Sequence, residues 1–372
     1  MREPPPLRPV PPGALRWAVR LSSWRLEAEP KLSMEFNFLL NLIQDEAERI
    51  AVLRFVRSVD QKRALLSRLL ALRACASELE MPHEDVVIQR TAGRKPFAAT
   101  KPPGSAYTNF NFNVSHEGDF VVLAAEPTCL CGVDVCSAAQ LRLPADGARL
   151  VDELRRSFDA QFAASEWTRI ERAPDDARAL DLFKTLWSCK EALVKARGDG
   201  LQFDLSRIAF EPRLRDRKGR WKRAIVRVDG GPPDRDWRFD VEHLDRDHVS
   251  TVALGPVSAI VDRLGDFKAT MLGPRADPDG LRAPRPGFSL LAVDDLVPES
   301  RLPELRDIRL RFGIPPSPSP KPLLSADADE QDPPSSRAAA DDDLPQGTVP
   351  FLHRPDLDPP EPPEQAHFCA LA

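Results

Sequence analysis

Twice along this 372-residue chain a stretch of helical period gives way to a run of short alternating segments, and this order constrains the fold more than any other feature. The first helical stretches cover Asp45 to Phe55 and Asp60 to Leu79, the second with Leu65, Leu69, Leu72 and Leu79 on a broad apolar face. Pro82 stops that helix, because proline lacks the N–H the ladder needs. Strand-like segments follow: Val86 to Ile88 ahead of the turn Ala92-Gly93, then Phe110, Phe112 and Val114 alternating with Asn109, Asn111 and Asn113 as a half-buried strand, then Asp119 to Ala125. A short strand is expected at Gly132 to Val135. The order then recurs, with helices over Ala164 to Arg172 and Arg178 to Lys195, the latter ended by Gly198. Strands are expected at Arg207 to Phe210, Ala224 to Val228, Trp237 to Val241 and Val249 to Leu254. Leu15 to Leu21 reads as a first strand and Phe288 to Val293 as an outer one. Helix then strands, around 45–126 and again around 164–255, predicts an α+β protein with antiparallel sheets. No clear sequence repeat relates the two halves.

Proline bounds this body. The chain holds 38 prolines, and most of the excess lies at the two ends. Residues 1–13 form a polyproline-rich lead. From Pro315 onward there are 11 acidic and 3 basic residues, a net −8 against −5 for the whole chain, which leaves the body at about +3. Residues 315–372 lack apolar periodicity, so disorder is expected there. The expected organisation is therefore a disordered lead over 1–13, an N-terminal lobe over 14–128, a C-terminal lobe over 129–300 and a disordered acidic tail over 315–372.

A mildly basic body points to anionic ligands. Nucleic acid is disfavoured, because the chain is acidic overall and no stripe of aromatics alternates with arginine. No apolar run approaches a membrane span and no signal peptide is visible, so a cytoplasmic (cytosolic) protein without a membrane partner is expected. The six cysteines lack zinc spacing and read as reduced thiols. Cys369-Ala370-Leu371-Ala372 has the outline of a prenylation box, with no polybasic stretch before it. Segments such as Pro315-Pro316-Ser317-Pro318 offer a weaker reading of the tail as an adaptor.

Two acids stand where acids do not belong. On the helix from Arg178 to Lys195, Leu180, Phe183, Trp187 and Val194 form one stripe, and Glu191 falls on it with Lys195 at i+4. Asp134 sits inside a strand between Val133 and Val135. Each has a structural explanation, a surface ion pair for Glu191 and a loop cap for Asp134. Each also has a functional one, since Mg²⁺ takes one or two carboxylates together with phosphate oxygens and water. Asn113-Val114-Ser115-His116 ends a strand and can donate to a phosphate. Arg90-Thr91-Ala92-Gly93-Arg94-Lys95 is either a solvated hairpin or a cationic turn suited to a nucleotide phosphate. No Walker loop and no G-x-G-x-x-G supports ordinary ATP or NAD binding.

The order of these pieces resembles the phosphopantetheinyl transferases of the surfactin-synthetase type, and more closely their animal cytosolic branch, which serves aminoadipate-semialdehyde dehydrogenase. The resemblance rests on Glu48-Arg49-Ile50, Gln89-Arg90-Thr91 with Lys95-Pro96, Asn109 through His116, Leu123 through Pro127, Gly132-Val133-Asp134 and Trp187 through Lys195, followed by Gly198 and Gly200. It spans roughly residues 14 to 300. It implies a pseudo-twofold pair of similar α/β lobes with coenzyme A in the cleft between them. It implies Asp134 and Glu191 as Mg²⁺ ligands, and Arg49, the turn from Arg90 to Lys95, Asn113 to His116, Glu191 and Lys195 as the coenzyme A site. Glu191, Asp134, His116 and Lys195 are then the expected catalytic residues. The partners implied are apo acyl or peptidyl carrier proteins, including fatty acid synthase and aminoadipate-semialdehyde dehydrogenase, served by a monomer. A catalytically silent carrier-binding module is the alternative. Many bacterial relatives place a glutamate two residues after the aspartate; here that position is Cys136, a poor Mg²⁺ ligand that the animal relatives' lack of this acid keeps from signalling inactivity.

Overall fold

Each long helix lies on a sheet built largely from the strands next to it in sequence. The structure is a computed structural model and describes residues 12–102, 108–137, 149–200, 203–216, 220–273, 281–317 and 323. In the first lobe α1 (Met34–Leu40), α2 (Glu46–Leu53) and α3 (Ser58–Glu78) precede a small hairpin of β2 (Ile88–Arg90) and β3 (Pro96–Ala98). The α3 leucines pack on Phe112 and Val114 of β4 (Asn111–Glu117) and on Val121 and Leu123 of β5 (Phe120–Glu126). β4 and β5 pair with β1 (Leu15–Arg20) in the order β4-β5-β1, all antiparallel.

The second lobe starts with β6 (Leu130–Ser137). After α4 (Leu150–Phe158), α5 (Ala164–Glu171) and α6 (Asp176–Arg197) come β7 (Ile208–Arg215), β8 (Trp221–Val228), β9 (Pro233–His243) and β10 (His248–Gly255). These form an antiparallel sheet ordered β6-β10-β9-β8-β7. Alternation divides β6 between two cores. Cys131, Val133 and Val135 pack on Ala18, Phe120, Val122 and Ala124 of the first sheet, whereas Gly132 and Cys136 face α6. Gly132 lies so close to the helix that an added Cβ would stand 2.2 Å from the Ala192 carbonyl oxygen. Only glycine permits that approach.

The strand of alternating Phe and Asn was expected to be half-buried. It is buried on both faces. The main-chain N–H groups of Cys131, Val133, Val135 and Ser137 on β6 donate to Asn111 (2.9 Å), Asn113 (2.9 Å), Ser115 (3.3 Å) and Glu117 (2.6 Å) on β4. The constant offset of 20 residues makes the two strands parallel neighbours. Side chains on β4 thus satisfy the edge donors of β6 that a sheet partner would otherwise take. This seam joins the two lobes.

The C-terminal lobe was expected to run to residue 300, yet the chain turns back before that point. β11 (Ser289–Leu291) pairs in parallel with β1, α7 (Asp266–Ala269) precedes it, and α8 (Leu302–Phe312) lies on α1. The cause is charge as well as shape. Glu35 is fully buried on α1 and receives Arg309 of α8 at 2.8 Å, and Arg309 also bonds Asp294 at 2.7 Å. The disorder expected of residues 1–13 and 315–372, and the motif at Cys369, fall almost wholly outside the described residues. Among those residues five cysteines are buried, and no helix is long and apolar enough to cross a membrane.

Candidate active site

The seam and α6 bring the two misplaced acids into one neighbourhood. Asp134 points from β6 toward α6 and is almost completely buried. Its backbone carbonyl accepts from Ser188 (3.3 Å) and Ser250 (2.9 Å), which fix the strand against helix and neighbouring strand. Its Oδ1 accepts from Lys195 Nζ (2.8 Å) and from Ser115 Oγ (3.1 Å), and Lys195 Nζ also donates to Ser115 Oγ (2.9 Å). Its Oδ2 is buried with no hydrogen-bond partner. Burial pushes the carboxyl upward, against the pull of Lys195 and the hydroxyls of Ser115 and Ser188.

On the predicted stripe of α6, Phe183, Trp187 and Val194 are buried, and Glu191 sits where the helix emerges, partly exposed. Its carboxyl is pushed up to about 7, by burial first, with Lys195 opposing and the negative charge of Asp134 adding to the rise. Two acids and one ammonium therefore share a single field. Lys190, in the same sequence motif, does not join them: it is fully buried and paired with Glu166 of α5 at 2.8 Å.

The basic turn reaches this corner through glycines. Thr91 is buried and closes the turn, its Oγ1 accepting from the Lys95 N–H at 3.1 Å. Gly93 lies against the loop after α6, where an added Cβ would stand 2.1 Å from the Gly198 carbonyl oxygen. Ala92 and Arg94 stay exposed, Arg94 at a positive φ of 67°. Lys95 departs from expectation. Read from sequence as a phosphate-holding cation, it is buried instead, donating to the carbonyls of Cys131 (2.7 Å) and Lys195 (3.0 Å), and burial lowers its ammonium to about 8. It stitches the turn to β6 and to the end of α6.

The other cations gather around Glu48. Arg90 bonds it at 3.3 Å and Arg68 at 2.8 Å, while Arg49 donates to the Ile43 carbonyl at 3.0 Å. Sequence reasoning missed Arg68, which on an amphipathic helix reads as a solvated face. Its one signal was the i+20 pairing with Glu48, which no helical period reveals. Asn113 serves the seam and Val114 the core. His116 is half-buried and, by strand alternation, lies on the opposite face of β4 from Ser115. Cys136 packs in the apolar layer under α6, and among the described residues no three acids, histidines or cysteines form a metal cage.

The family model described as "4'-phosphopantetheinyl transferase, N-terminal" matches residues 27–128, and the one described as "4'-phosphopantetheinyl transferase superfamily" matches 130–253. This chain belongs to the 4′-phosphopantetheinyl transferase family. The two matches meet at the turn between β5 and β6, where the chain passes from one sheet to the other. The L-aminoadipate-semialdehyde dehydrogenase-phosphopantetheinyl transferase of Xenopus laevis is 35% identical over 248 residues, 66% of this chain and 77% of that protein. The protein of the same name from Homo sapiens is 33% identical over 242 residues, 64% of this chain and 74% of its own. A phosphopantetheinyl transferase of Thraustochytrium sp. is 32% identical over 249 residues, 66% and 80% of the two chains. As a phosphopantetheinyl transferase, the chain moves the 4′-phosphopantetheine arm of coenzyme A onto a carrier-protein serine and leaves adenosine 3′,5′-bisphosphate. That activity displaces the reading of a silent carrier-binding module.

Proposed function

We propose that transfer depends on Mg²⁺ held by Asp134 and Glu191 at the junction of β6 and α6. The observation that carries this is Asp134 Oδ2, a buried oxygen without a partner beside a second carboxylate. Buried polar atoms without a partner are uncommon, and one beside a second carboxylate supports a cation site. Two hard carboxylate oxygens suit Mg²⁺ better than a softer metal. When bound, the ion would neutralise charge developing on the transferring phosphoryl group.

The chain's own residues divide the remaining work. Lys195 is held by Asp134 and Ser115, so its ammonium stays fixed where a diphosphate enters. Glu191 takes the proton from the carrier serine as its hydroxyl attacks the β-phosphate. Arg49, Arg90 and Arg94 supply positive charge toward the coenzyme's phosphates, His116 is the donor from β4, and Ser115 holds Asp134 and Lys195 in place. Thr91, Ala92, Gly93 and the buried Lys95 shape the turn that carries those arginines.

The carriers proposed are acyl and peptidyl carrier domains, those of fatty acid synthase and aminoadipate-semialdehyde dehydrogenase among them. One chain supplies both walls of the cleft, which supports action as a monomer, and the proposed compartment is the cytosol. The test is the intact mass of an apo carrier protein incubated with coenzyme A. With Mg²⁺ it gains one phosphopantetheine arm; with chelator the gain stops and returns on re-addition of Mg²⁺. Undiminished transfer under full chelation refutes the metal assignment.

A further inference from the structure

At the near end of the basic turn stands a carboxylate that the proposed mechanism leaves unused. Glu48 lies on α2, Arg68 on α3 and Arg90 on β2, so three elements meet at one carboxyl group. Arg68 Nε donates to Glu48 Oε2 at 2.8 Å, and Arg90 Nε donates to Glu48 Oε1 at 3.3 Å. All three side chains are partly exposed. Arg68 is well anchored. Its Nη1 donates to the Ala64 carbonyl of its own helix at 3.0 Å, and the leucines of α3 fix that helix on β4 and β5. Arg90 has a slighter setting. β2 belongs to a two-stranded ribbon, and Arg90 Nη1 reaches the Arg94 carbonyl at 3.5 Å, the outer limit of a hydrogen bond. The far end of the turn is held separately, by Gly93 against Gly198 and by Lys95 on the carbonyls of Cys131 and Lys195.

Charge by itself argues against a carboxylate here. Burial would raise the Glu48 carboxyl, but Arg90 and then Arg68 hold it below the ordinary glutamate value, so it is an anion at neutral pH. An anion beside a phosphate-binding cation weakens phosphate binding. Its presence calls for a gain of another kind, and the gain is order. An arginine side chain has many rotamers, and freezing them when a ligand arrives costs affinity. Glu48 freezes Arg90 beforehand, and because Arg68 shares the carboxylate, Glu48 does not quench Arg90 alone. We propose that Glu48, braced by Arg68, is a positioning residue for coenzyme A that aims Arg90 at a coenzyme phosphate before the coenzyme binds. This inference rests on the reading of Arg90 as a coenzyme-phosphate residue. The aim matters because the same turn is tied at its other end to the close of α6, which carries Glu191 and Lys195.

The test measures coenzyme A affinity by calorimetry, together with transfer kinetics, on the full chain. Glu48→Gln should weaken binding about tenfold, the upper end for ordering one long side chain, although it removes a negative charge from beside the phosphates. Glu48→Asp keeps the charge and shortens the reach by one methylene, and should weaken binding about threefold. At saturating coenzyme A both variants should turn over within about twofold of the parent, so that KM moves and kcat does not, which also verifies their folding. Arg90→Met should weaken binding at least as far as Glu48→Gln. Adding Glu48→Gln to Arg90→Met should then cost nothing more, since no guanidinium remains to be aimed. Unchanged or tighter binding in Glu48→Gln overturns the proposal, because charge rather than aim then decides, and so do losses that simply add in the double variant. Normal binding by Arg90→Met removes Arg90 from the coenzyme site and this inference with it. A loss in Arg90→Met with none in Glu48→Gln leaves the coenzyme site standing and refutes the positioning role alone.

Discussion

Helix α6 carries two lysine–carboxylate pairs little more than one turn apart, and they have opposite fates. At Lys190 every atom is satisfied. Glu166 accepts from the N–H of Phe210 (2.8 Å) and of Ala163 (2.8 Å), and Lys190 donates to the Leu205 carbonyl (2.9 Å) as well as to Glu166, with both side chains fully buried. At Lys195 the pair is incomplete. Asp134 keeps one oxygen without a partner, Glu191 adds a second negative charge, and the Lys195 side chain keeps 14% of its surface exposed. A closed pair locks α5, α6 and β7 together. An open pair holds electrostatic free energy that a ligand can release.

The sharpest way to break this contrast is to treat both pairs alike. Glu191→Gln removes a charge from the open pair and should lower transfer about 10²–10⁴-fold. Its melting temperature should hold or rise, because a buried like-charge repulsion is relieved; unaltered turnover removes Glu191 from the reaction. Glu166→Ala strands Lys190 in the interior and should cost ~3–5 kcal/mol in denaturant unfolding, with transfer per folded molecule retained. Adding Lys190→Met should return most of that loss, and a double variant as unstable as the single one refutes the closed-pair reading.

A smaller effect comes from a pair of intermediate exposure at the lobe contact. His248 Nδ1 lies 2.7 Å from Asp245, and His248 Nε2 accepts from the Asp119 N–H of the other lobe at 3.1 Å. Burial alone would raise the Asp245 carboxyl, but the hydrogen bond from the His248 ring and the N–H groups of Asp247 and His248 hold it down at about 2. A carboxyl below its unfolded value of about 3.9 stabilises the fold fully above that pH and loses the contribution as pH falls toward 2. Asp245→Asn should therefore be less stable by a constant amount above pH ~5, with the gap closing toward pH 2 in acid-unfolding curves. A gap that widens on acidification contradicts this sign.

Much of the fold was legible because period is a local property. The helix read from Ala164 to Arg172 is Ala164–Glu171, and the one read from Arg178 to Lys195 is Asp176–Arg197. Short elements escaped: α1, α4 and α8 offer two or three turns each, and Pro303 near the start of α8 reads as a breaker although proline is tolerated in a first turn. Asp134 and Glu191 were legible as acids out of place. Lys95 and Lys190 were not separable from Lys195, since all three are motif lysines and a side chain's direction depends on what surrounds it.

The sequence by itself determined that two helix-on-sheet lobes form, that Gly132, Asp134, Glu191 and Lys195 belong to one transferase pattern, and that an acidic tail follows. Tertiary structure alone decided which cations face a ligand. Whether an ammonium is used internally depends on which carbonyls lie within about 3 Å, and those come from strands and helices tens of residues away. It also decided that the asparagines of β4 join the lobes, because an edge strand's unpaired N–H groups become visible only once the two sheets are side by side.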